Sequence, residues 1–482
     1  MIETFYLKSP FALQQVLVTA AGYSLNKIQR GGEYGKFIRE IWNRQEWTSN
    51  QFADFQFQQL QKILALSYYF VPYYNKKFRE IGLLPERVKS LQDIALLPIL
   101  EKKEILRDPV AFTDRRIKKG ELLTLHTTGT TGTPLKIYAN KIARRLNYAY
   151  FDLYLKSIGI DGKKRRATFG GRIIVDPDQN KTPFWRYSYF QRNLLFSSYH
   201  MTDENLPYYF EKLKDYQPEI IESYPSSLYF LSKYILDHNK NGEICPRAIV
   251  TSGETLFEEQ RKAIEEAFQC KVRDQYGCVE MCIFAAQCES GHYHYRPDYS
   301  LIEIIKKDGK IAKPGEIGEI LCTGFINQVM PLIRYAIGDL GIISEEKCSC
   351  GLNTPHFEKI VGRMDDIILT PDGRYVGRLS PVLKGFPVKE AQYIQKRMDL
   401  VVIKLVKDTN FNYGTAGVLI KEVQKRLGNS VGIELEFVDE IPRGPGGKLK
   451  TVISEVSNSF RFNGSKTADR SAEGLKGKTP LW

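Results

Sequence analysis

From Leu122 onward, short apolar runs bounded by Gly and Thr (LLTLHTTG, AIVTSGE, EIGEILCTG) alternate with helix-patterned stretches such as ETLFEEQRKAIEEAF. An apolar run closed by turn formers reads as a strand, and strands alternating with helices predict an α/β layered fold. Ahead of this region the first 120 residues read mainly as helix. In QFADFQFQQLQKILALSYYF, apolar residues recur at three- and four-residue intervals, which gives a helix one face to bury. Breaks follow at VPYY, GLLPER and LLPIL. Behind the layered region, VVIKLVKD, GTAGVLIKEVQKRLG and IELEFVDEIP predict a small α+β domain, with a boundary near VGRMDD at residues 361–366. The expected organisation is a helical N-terminal part (1–120) of a large domain and its α/β core (121–362). A small C-terminal domain (363–460) and a polar, Gly/Ser/Lys-rich tail (461–482), expected to be disordered, complete it.

At 482 residues the chain exceeds what one core holds, and 43% hydrophobic with 26% charged residues is ordinary globular usage. The net charge of +13 is spread along the chain, with only short clusters such as Lys163–Arg166. The excess suits an anionic ligand, an acidic membrane surface or nucleic acid alike, and its spread along the chain argues against a dedicated nucleic-acid arm. Gln14 and Gln15 interrupt the apolar stretch Phe11–Tyr23, so it is not read as a secretory signal, and no run approaches the 18 apolar residues of a membrane span. Eight cysteines without regular spacing fit reduced thiols and a cytoplasmic location.

The segment His126-Thr127-Thr128-Gly129-Thr130-Thr131-Gly132-Thr133-Pro134 follows the strand-like LLTL. Its glycines let backbone N–H groups approach a ligand and its threonines add hydroxyl donors, an arrangement suited to phosphate oxygens. It is not a Walker loop, because no Lys-Ser/Thr pair follows Gly132. Taken alone, it is equally an ordinary surface turn.

This segment resembles the phosphate-binding motif of the adenylate-forming superfamily, which includes acyl-CoA synthetases, luciferases and peptide-synthetase adenylation domains. Four further motifs follow in the family's order. Asp274-Gln275-Tyr276-Gly277-Cys278-Val279-Glu280 resembles Tyr-Gly-x-x-Glu, and Arg334-Tyr335-Ala336-Ile337-Gly338-Asp339 resembles Tyr-x-x-Gly-Asp. Gly362-Arg363-Met364-Asp365-Asp366 resembles the inter-domain hinge, and Pro442-Arg443-Gly444-Pro445-Gly446-Gly447-Lys448 the loop of the catalytic lysine. The preceding histidine and the stretch from Tyr68 to Leu100 are similar to the phenylacetate-CoA ligase branch. FGGRIIV, SSYHM and ESYPSSLY look most like its CapK-like members, linked to capsular polysaccharide biosynthesis. The resemblance covers roughly residues 5 to 460, with one departure: Leu135 stands where many members carry lysine, and Lys136 comes one place later.

The resemblance implies the family's fold, a large α/β domain with a small mobile α+β domain, and an ATP- and Mg²⁺-dependent ligase. Such an enzyme makes an acyl adenylate and passes the acyl group to an acceptor. Lys448 would bridge the substrate carboxylate and the α-phosphate, Glu280 would hold Mg²⁺, and His126 joins the catalytic set. Thr127, Thr128, Gly129, Thr130, Thr131, Gly132 and Thr133 would cradle phosphate. Ser252, Gly253 and Glu254 would lie near the adenine, with Asp274, Tyr276 and Gly277 beside them. Asp339 would take the ribose hydroxyls, because a carboxylate accepts two hydrogen bonds from a vicinal diol. Arg363 would offer planar donors, and Asp365 matches the hinge. The acid's pocket is expected between the phosphate loop and YGCVE, with Arg172, Trp185, His200 and Tyr224 as candidate readers or, equally, structural residues.

Cys288 and His294 are separated by five residues, and Cys348-Ser349-Cys350-Gly351 follows. Three cysteines and a histidine make the composition of a closed structural zinc site, with His292 as an alternative to His294. The expected partners are a small carboxylic or amino acid and an acceptor that is coenzyme A or the amine or hydroxyl of a sugar or amino acid. No nucleic acid or transmembrane segment is expected; peripheral association with membrane-bound polysaccharide machinery is compatible with the sequence. The alternatives are an aryl-CoA synthetase of the phenylacetate-CoA ligase type and a nucleotide-binding scaffold without turnover.

Overall fold

A computed structural model describes the chain apart from residues 1, 128–134, 163, 177, 364–367, 373–374, 377–378, 380–382, 384–385, 409–410, 444–448 and 457–482. Helices dominate the first part: α1 (Ile2–Lys8), α2 (Phe11–Arg30), α3 (Tyr34–Asn43), α4 (Ser49–Phe70), α5 (Pro72–Glu80) and α6 (Lys102–Arg107). The helix expected from QFADFQFQQLQKILALSYYF is α4. It starts at a capping box in which Thr48 and Gln51 satisfy each other's backbone N–H, and Pro72 prevents its continuation beyond Val71. Its buried face carries Phe52, Gln56, Leu60, Ile63, Leu64 and Ser67, the expected three- and four-residue spacing. Leu60, Ile63 and Leu64 are fully buried in the main apolar core, so Leu64→Ala would cost about 2–5 kcal/mol.

The layered region holds β1 (Leu123–His126) and β2 (Lys136–Ala139), a two-stranded hairpin, then α7 (Lys141–Ser157). There follow β3 (Arg166–Gly170), β4 (Trp185–Ser188), β5 (Asn193–Ser197), α8 (Leu206–Tyr216), β6 (Ile220–Ser223), α9 (Pro225–Asp237), β7 (Ala248–Ser252), α10 (Glu258–Phe268) and β8 (Val272–Gly277). After these come β9 (Phe284–Gln287), β10 (Tyr293–Tyr295), β11 (Ser300–Ile305), β12 (Gly318–Gly324), β13 (Tyr335–Ile343) and β14 (His356–Arg363). Among the described residues, β3 to β14 form one twelve-stranded sheet in the order 11-12-13-14-10-9-8-7-6-3-5-4. Its centre, β5-β3-β6-β7-β8, is parallel, as helix-connected strands require. From β8 to β11 the neighbours are antiparallel.

Two contacts tie the N-terminal helices to this sheet. Leu100 makes a parallel bridge to Tyr335. The buried Arg334, held at φ 49°, donates to the Leu97 and Ala95 carbonyls and pairs with Glu303 at 2.9 Å. The LLPIL stretch is thereby fixed against the RYAIGD motif.

The last region has short strands β15 (Ile368–Leu369) and β16 (Tyr375–Val376), then β17 (Val388–Arg397), β18 (Leu400–Lys407), α11 (Tyr413–Leu427), β19 (Gly432–Phe437) and β20 (Val452–Ser454). β17 to β20 form a four-stranded sheet in the order 19-18-17-20, and Leu419, Val423 and Leu427 of α11 close its own apolar core with Tyr393, Val401 and Ile403. The fold is thus the mixed α/β class expected, with a separate α+β sheet at its C-terminal end. The tail expected to be disordered and the hinge position Asp365 lie outside the described residues. No helix among the described residues is long and apolar enough to cross a membrane.

Candidate functional site

β7, β8, β13 and β14 bring three of the sequence motifs to one cavity of about 290 Å³. β7 ends in Ser252, and the turn after it needs Gly253 at φ +80°, a conformation that favours glycine. That turn sends Glu254 into the cavity, where its carboxylate accepts the backbone N–H of Ser226 at 3.0 Å. β8 contributes Asp274, Tyr276 and Gly277, and the turn beyond it contributes Cys278, Val279 and Glu280. β13 contributes Asp339, whose Cα partner across the antiparallel pair with β14 is Arg363.

Two tyrosines hold the two acids. The Tyr276 hydroxyl donates to Asp339 Oδ2 at 2.5 Å, and the Tyr335 hydroxyl donates to Glu280 Oε1 at 3.1 Å. Burial, and then the facing carboxylate, push both phenols well above their ordinary value, so they remain donors. Asp274 is buried and accepts the hydroxyls of Thr251 and Tyr293, each at 2.6 Å, which fixes β8 against β7 and β10. The remaining wall comes from the C-terminal sheet: Leu449, Lys450, Thr451 and Val452 line the cavity, directly after residue 448.

The phosphate-loop motif runs in sequence from the end of β1 to the start of β2. Thr127 closes its base, with its N–H donated to the Leu135 carbonyl at 3.0 Å and its hydroxyl accepting the Leu135 N–H at 2.9 Å. Thr127 lines the cavity; Thr128, Gly129, Thr130, Thr131, Gly132 and Thr133 lie outside the described residues. So do Lys448 and the side chain of Arg363. His126 stands exposed at the end of β1, opposite Lys136, and lines neither this cavity nor the larger one described next. Leu135 is fully buried in the core, which leaves Lys136 as the exposed cation after the loop.

A second cavity, of about 990 Å³, lies between the central sheet and helices α2, α3 and α7. Gly253, Gln275, Gly277, Cys278 and Val279 line both cavities and form their shared wall. Of the four candidate acid readers, Arg172 and Tyr224 line this larger space. The other two are structural. His200 is buried, shares a hydrogen bond with Ser197 Oγ at 2.7 Å and another with the Asp176 carbonyl at 3.0 Å, and stacks on Phe184. Trp185 packs on Phe196 and Tyr209.

The donor atoms of Cys288, His294, Cys348 and Cys350 all lie within 4.8 Å of one another. Cys288 follows β9, His294 sits in β10, and the other two lie between β13 and β14. Sγ of Cys288 is 3.7 Å from Sγ of Cys348, and Cys350 Sγ is 3.3 Å from His294 Nε2. His294 Nδ1 is 2.8 Å from the Thr354 carbonyl, which selects the tautomer that leaves Nε2 facing the thiols. Burial raises the Cys348 thiol. The Cys350 N–H and the neighbouring imidazoles outweigh it and hold Cys348 below its usual range, toward the thiolate that binds metal. His292 Nδ1 also approaches Cys348 Sγ, at 3.3 Å, so it stands beside the set.

Tyr335, Tyr293 and the Ser226 N–H were not among the residues expected from sequence. Their roles depend on pairings between elements far apart in the chain; Tyr335 and Ser226 lay inside quoted stretches, but Tyr293 did not.

Residues 368–455 match the CapK C-terminal domain family. The chain is 28% identical to protein CapK of Staphylococcus aureus over 95% of this chain and 100% of that one. It is 25% identical to a phenylacetate-coenzyme A ligase of Thermus thermophilus over 83% of this chain and 95% of that one. Its fold is similar to that of 2-hydroxyisobutyryl-CoA ligase in the postadenylation state, with a TM-score of 0.68 at 19% identity over 86% of this chain and 91% of that one. The chain thus resembles the adenylate-forming ligases of the phenylacetate-CoA ligase branch in sequence and in fold, and within that branch it resembles CapK.

Proposed function

We propose that the chain joins a carboxylic acid to ATP as an acyl adenylate, releases pyrophosphate, and transfers the acyl group to an acceptor in the making of a surface or capsular polysaccharide. What supports this most is one juxtaposition. The segment that follows Lys448 walls the same cavity as Glu254, Glu280 and Asp339, which supports one site for the proposed lysine and the proposed nucleotide ligands. A carboxylate oxygen attacks the α-phosphorus and the bond to pyrophosphate breaks, so the work is positioning and charge neutralisation. Asp339, oriented by Tyr276, takes the ribose hydroxyls. Glu254 and the turn at Gly253 lie beside the base. Lys448 meets the negative charge that grows on the bridging oxygen. Glu280 is a hard oxygen donor already oriented by Tyr335, which suits Mg²⁺, and the ion when bound would neutralise phosphate charge.

The Cys₃His set fits a closed structural zinc site. Zinc there would fasten the β9–β10 turn to the β13–β14 connection and so hold the strands that carry Tyr293, Asp339 and Arg363. The free cysteines and the use of ATP favour the cytoplasm.

A second reading of the acceptor is coenzyme A, which the phenylacetate-coenzyme A ligase relative favours. Hydroxylamine trapping tests the activation step whichever acceptor holds. With ATP and a panel of aryl, fatty, amino and sugar acids, one class is expected to give hydroxamate and AMP. ATP cleavage to ADP would refute adenylation, and no cleavage with nucleotide bound would move the chain to the scaffold reading. Adding coenzyme A or a sugar amine then identifies the acceptor.

A further inference from the structure

In a doubly covered parallel sheet both faces of the central strands are ordinarily apolar, because each packs under helices. Here one face obeys throughout and the other only in part, where Ile220, Ala248 and Val250 pack with Leu155 and Ile160. Ala167, Leu194, Ile221, Ile249 and Val272 lie in register on one face, inside a continuous apolar core. On the opposite face the same five strands present Arg166, Thr168, Asn193, Glu222, Ser252 and Gln275 to the 990 Å³ cavity. The helices that cover this face stand off from its polar part, and their own contribution to the wall is mixed: Leu25, Ile38 and Phe151 lie beside polar groups. Arg30 pairs in bidentate fashion with Asp152 at 2.5 and 2.7 Å, and Tyr34 donates to the same carboxylate.

The polar groups of the sheet face are arranged for a ligand. Arg166 and Glu222 form an ion pair, and the Thr168 hydroxyl is 3.1 Å from Asn193 Oδ1, which leaves the Asn193 amide N–H groups for another acceptor. At the rim, Arg172 is exposed and makes no ion pair with a described residue. An aromatic ring placed on this surface would desolvate these groups and return no hydrogen bonds, at roughly 1–3 kcal/mol for each group left unmatched. A polyhydroxylated body matches them. The cavity's size lies at the top of the range for small-ligand sites, roughly 300–1,000 Å³, well beyond the needs of a single ring. Its shared wall with the nucleotide cavity, at Gly253, Gln275 and Gly277, gives the acid's carboxylate a way to the reacting phosphorus.

We infer that the acid this enzyme activates is a sugar acid of mono- or disaccharide size, read by Thr168, Asn193 and the Arg166–Glu222 pair on the sheet face and by Arg172 at the rim. The inference rests on the adenylation reading above and names its substrate class.

Calorimetry on the full chain with ATP analogue bound tests it, using D-glucuronate, D-galacturonate, D-gluconate and phenylacetate as probes. At least one sugar acid is expected to bind more tightly than phenylacetate. Arg172→Ala, on the exposed rim, and Thr168→Val, of nearly unchanged volume, are each expected to weaken that acid about tenfold and leave ATP affinity unchanged. Phenylacetate binding more tightly than all three sugar acids overturns the inference, as does failure of all three to bind. So does sugar-acid binding that neither variant alters. If phenylacetate also drives Lys448-dependent pyrophosphate exchange, the substrate class falls and adenylation stands. If ATP itself does not bind, the adenylation reading falls separately.

Discussion

The two cavities share a wall, yet they are built in opposite ways. The smaller one takes most of its chemistry from two short contiguous segments, Gly253–Glu254 and Asp274–Glu280, at strand ends and in turns, and adds Asp339 from within β13. The larger takes its sheet-face polar groups singly, one or two from each of five parallel strands, and adds several from helices α2 and α7. A turn delivers several consecutive residues to one point, whereas a strand delivers alternate residues to one face. The first arrangement suits a step whose reacting atoms are always the same. The second lets the part of the substrate that varies be read by substitutions scattered over the sheet, without disturbing the reacting groups.

If that division is right, substitutions in one cavity should leave the other's ligand unaffected. The largest effect is expected at Asp339. Asp339→Ala removes the acceptor for the ribose and should raise KM for ATP by roughly tenfold to a hundredfold, from about 1.5–3 kcal/mol for a hydrogen bond to a charged group. KM for the acid should hardly move, and a parallel rise in both constants would break the division. Next, Glu222→Gln removes one charge of the Arg166 pair. It should raise KM for the acid about tenfold at unchanged KM for ATP, measured by pyrophosphate exchange.

Replacing Cys350 with serine sharpens the comparison from outside both cavities. One zinc per chain in the wild type and less in the variant is expected by elemental analysis, with a melting temperature several degrees lower. Because the cluster fastens strands on the nucleotide side only, KM for ATP should suffer before KM for the acid. The smallest effect is expected for Tyr335→Phe, which removes one hydrogen bond to Glu280. About 0.5–1.5 kcal/mol corresponds to a change of roughly two- to tenfold, read as a higher Mg²⁺ requirement for half-maximal rate.

The same contrast explains what could be read from the sequence. The strand and helix alternation and α4 could be anticipated because their information is local, in period and capping. Glu254, Tyr276, Glu280 and Asp339 stood in contiguous motifs, and the structure brings them to one cavity. Cys288, His294, Cys348 and Cys350 also stood out, since thiol and imidazole pairs at short spacing are unusual in an ordinary surface. The acid-side surface could not be read in this way. RATFG alternates polar and apolar, but only the register with NLLFS and IIES shows that Arg166, Thr168, Asn193 and Glu222 share a face. His200 misled for a related reason: nothing local showed that Ser197, Asp176 and Phe184 already occupy its ring.

The central claim is that Lys448 and the acids of the smaller cavity form one adenylating site. ATP–pyrophosphate exchange with the activated acid, comparing wild type with Lys448→Ala, tests it most directly. The account predicts exchange in the wild type and a loss of roughly a hundred- to thousandfold in the variant, about 3–4 kcal/mol of transition-state stabilisation, at nearly unchanged ATP affinity. Exchange that survives intact in Lys448→Ala would contradict it.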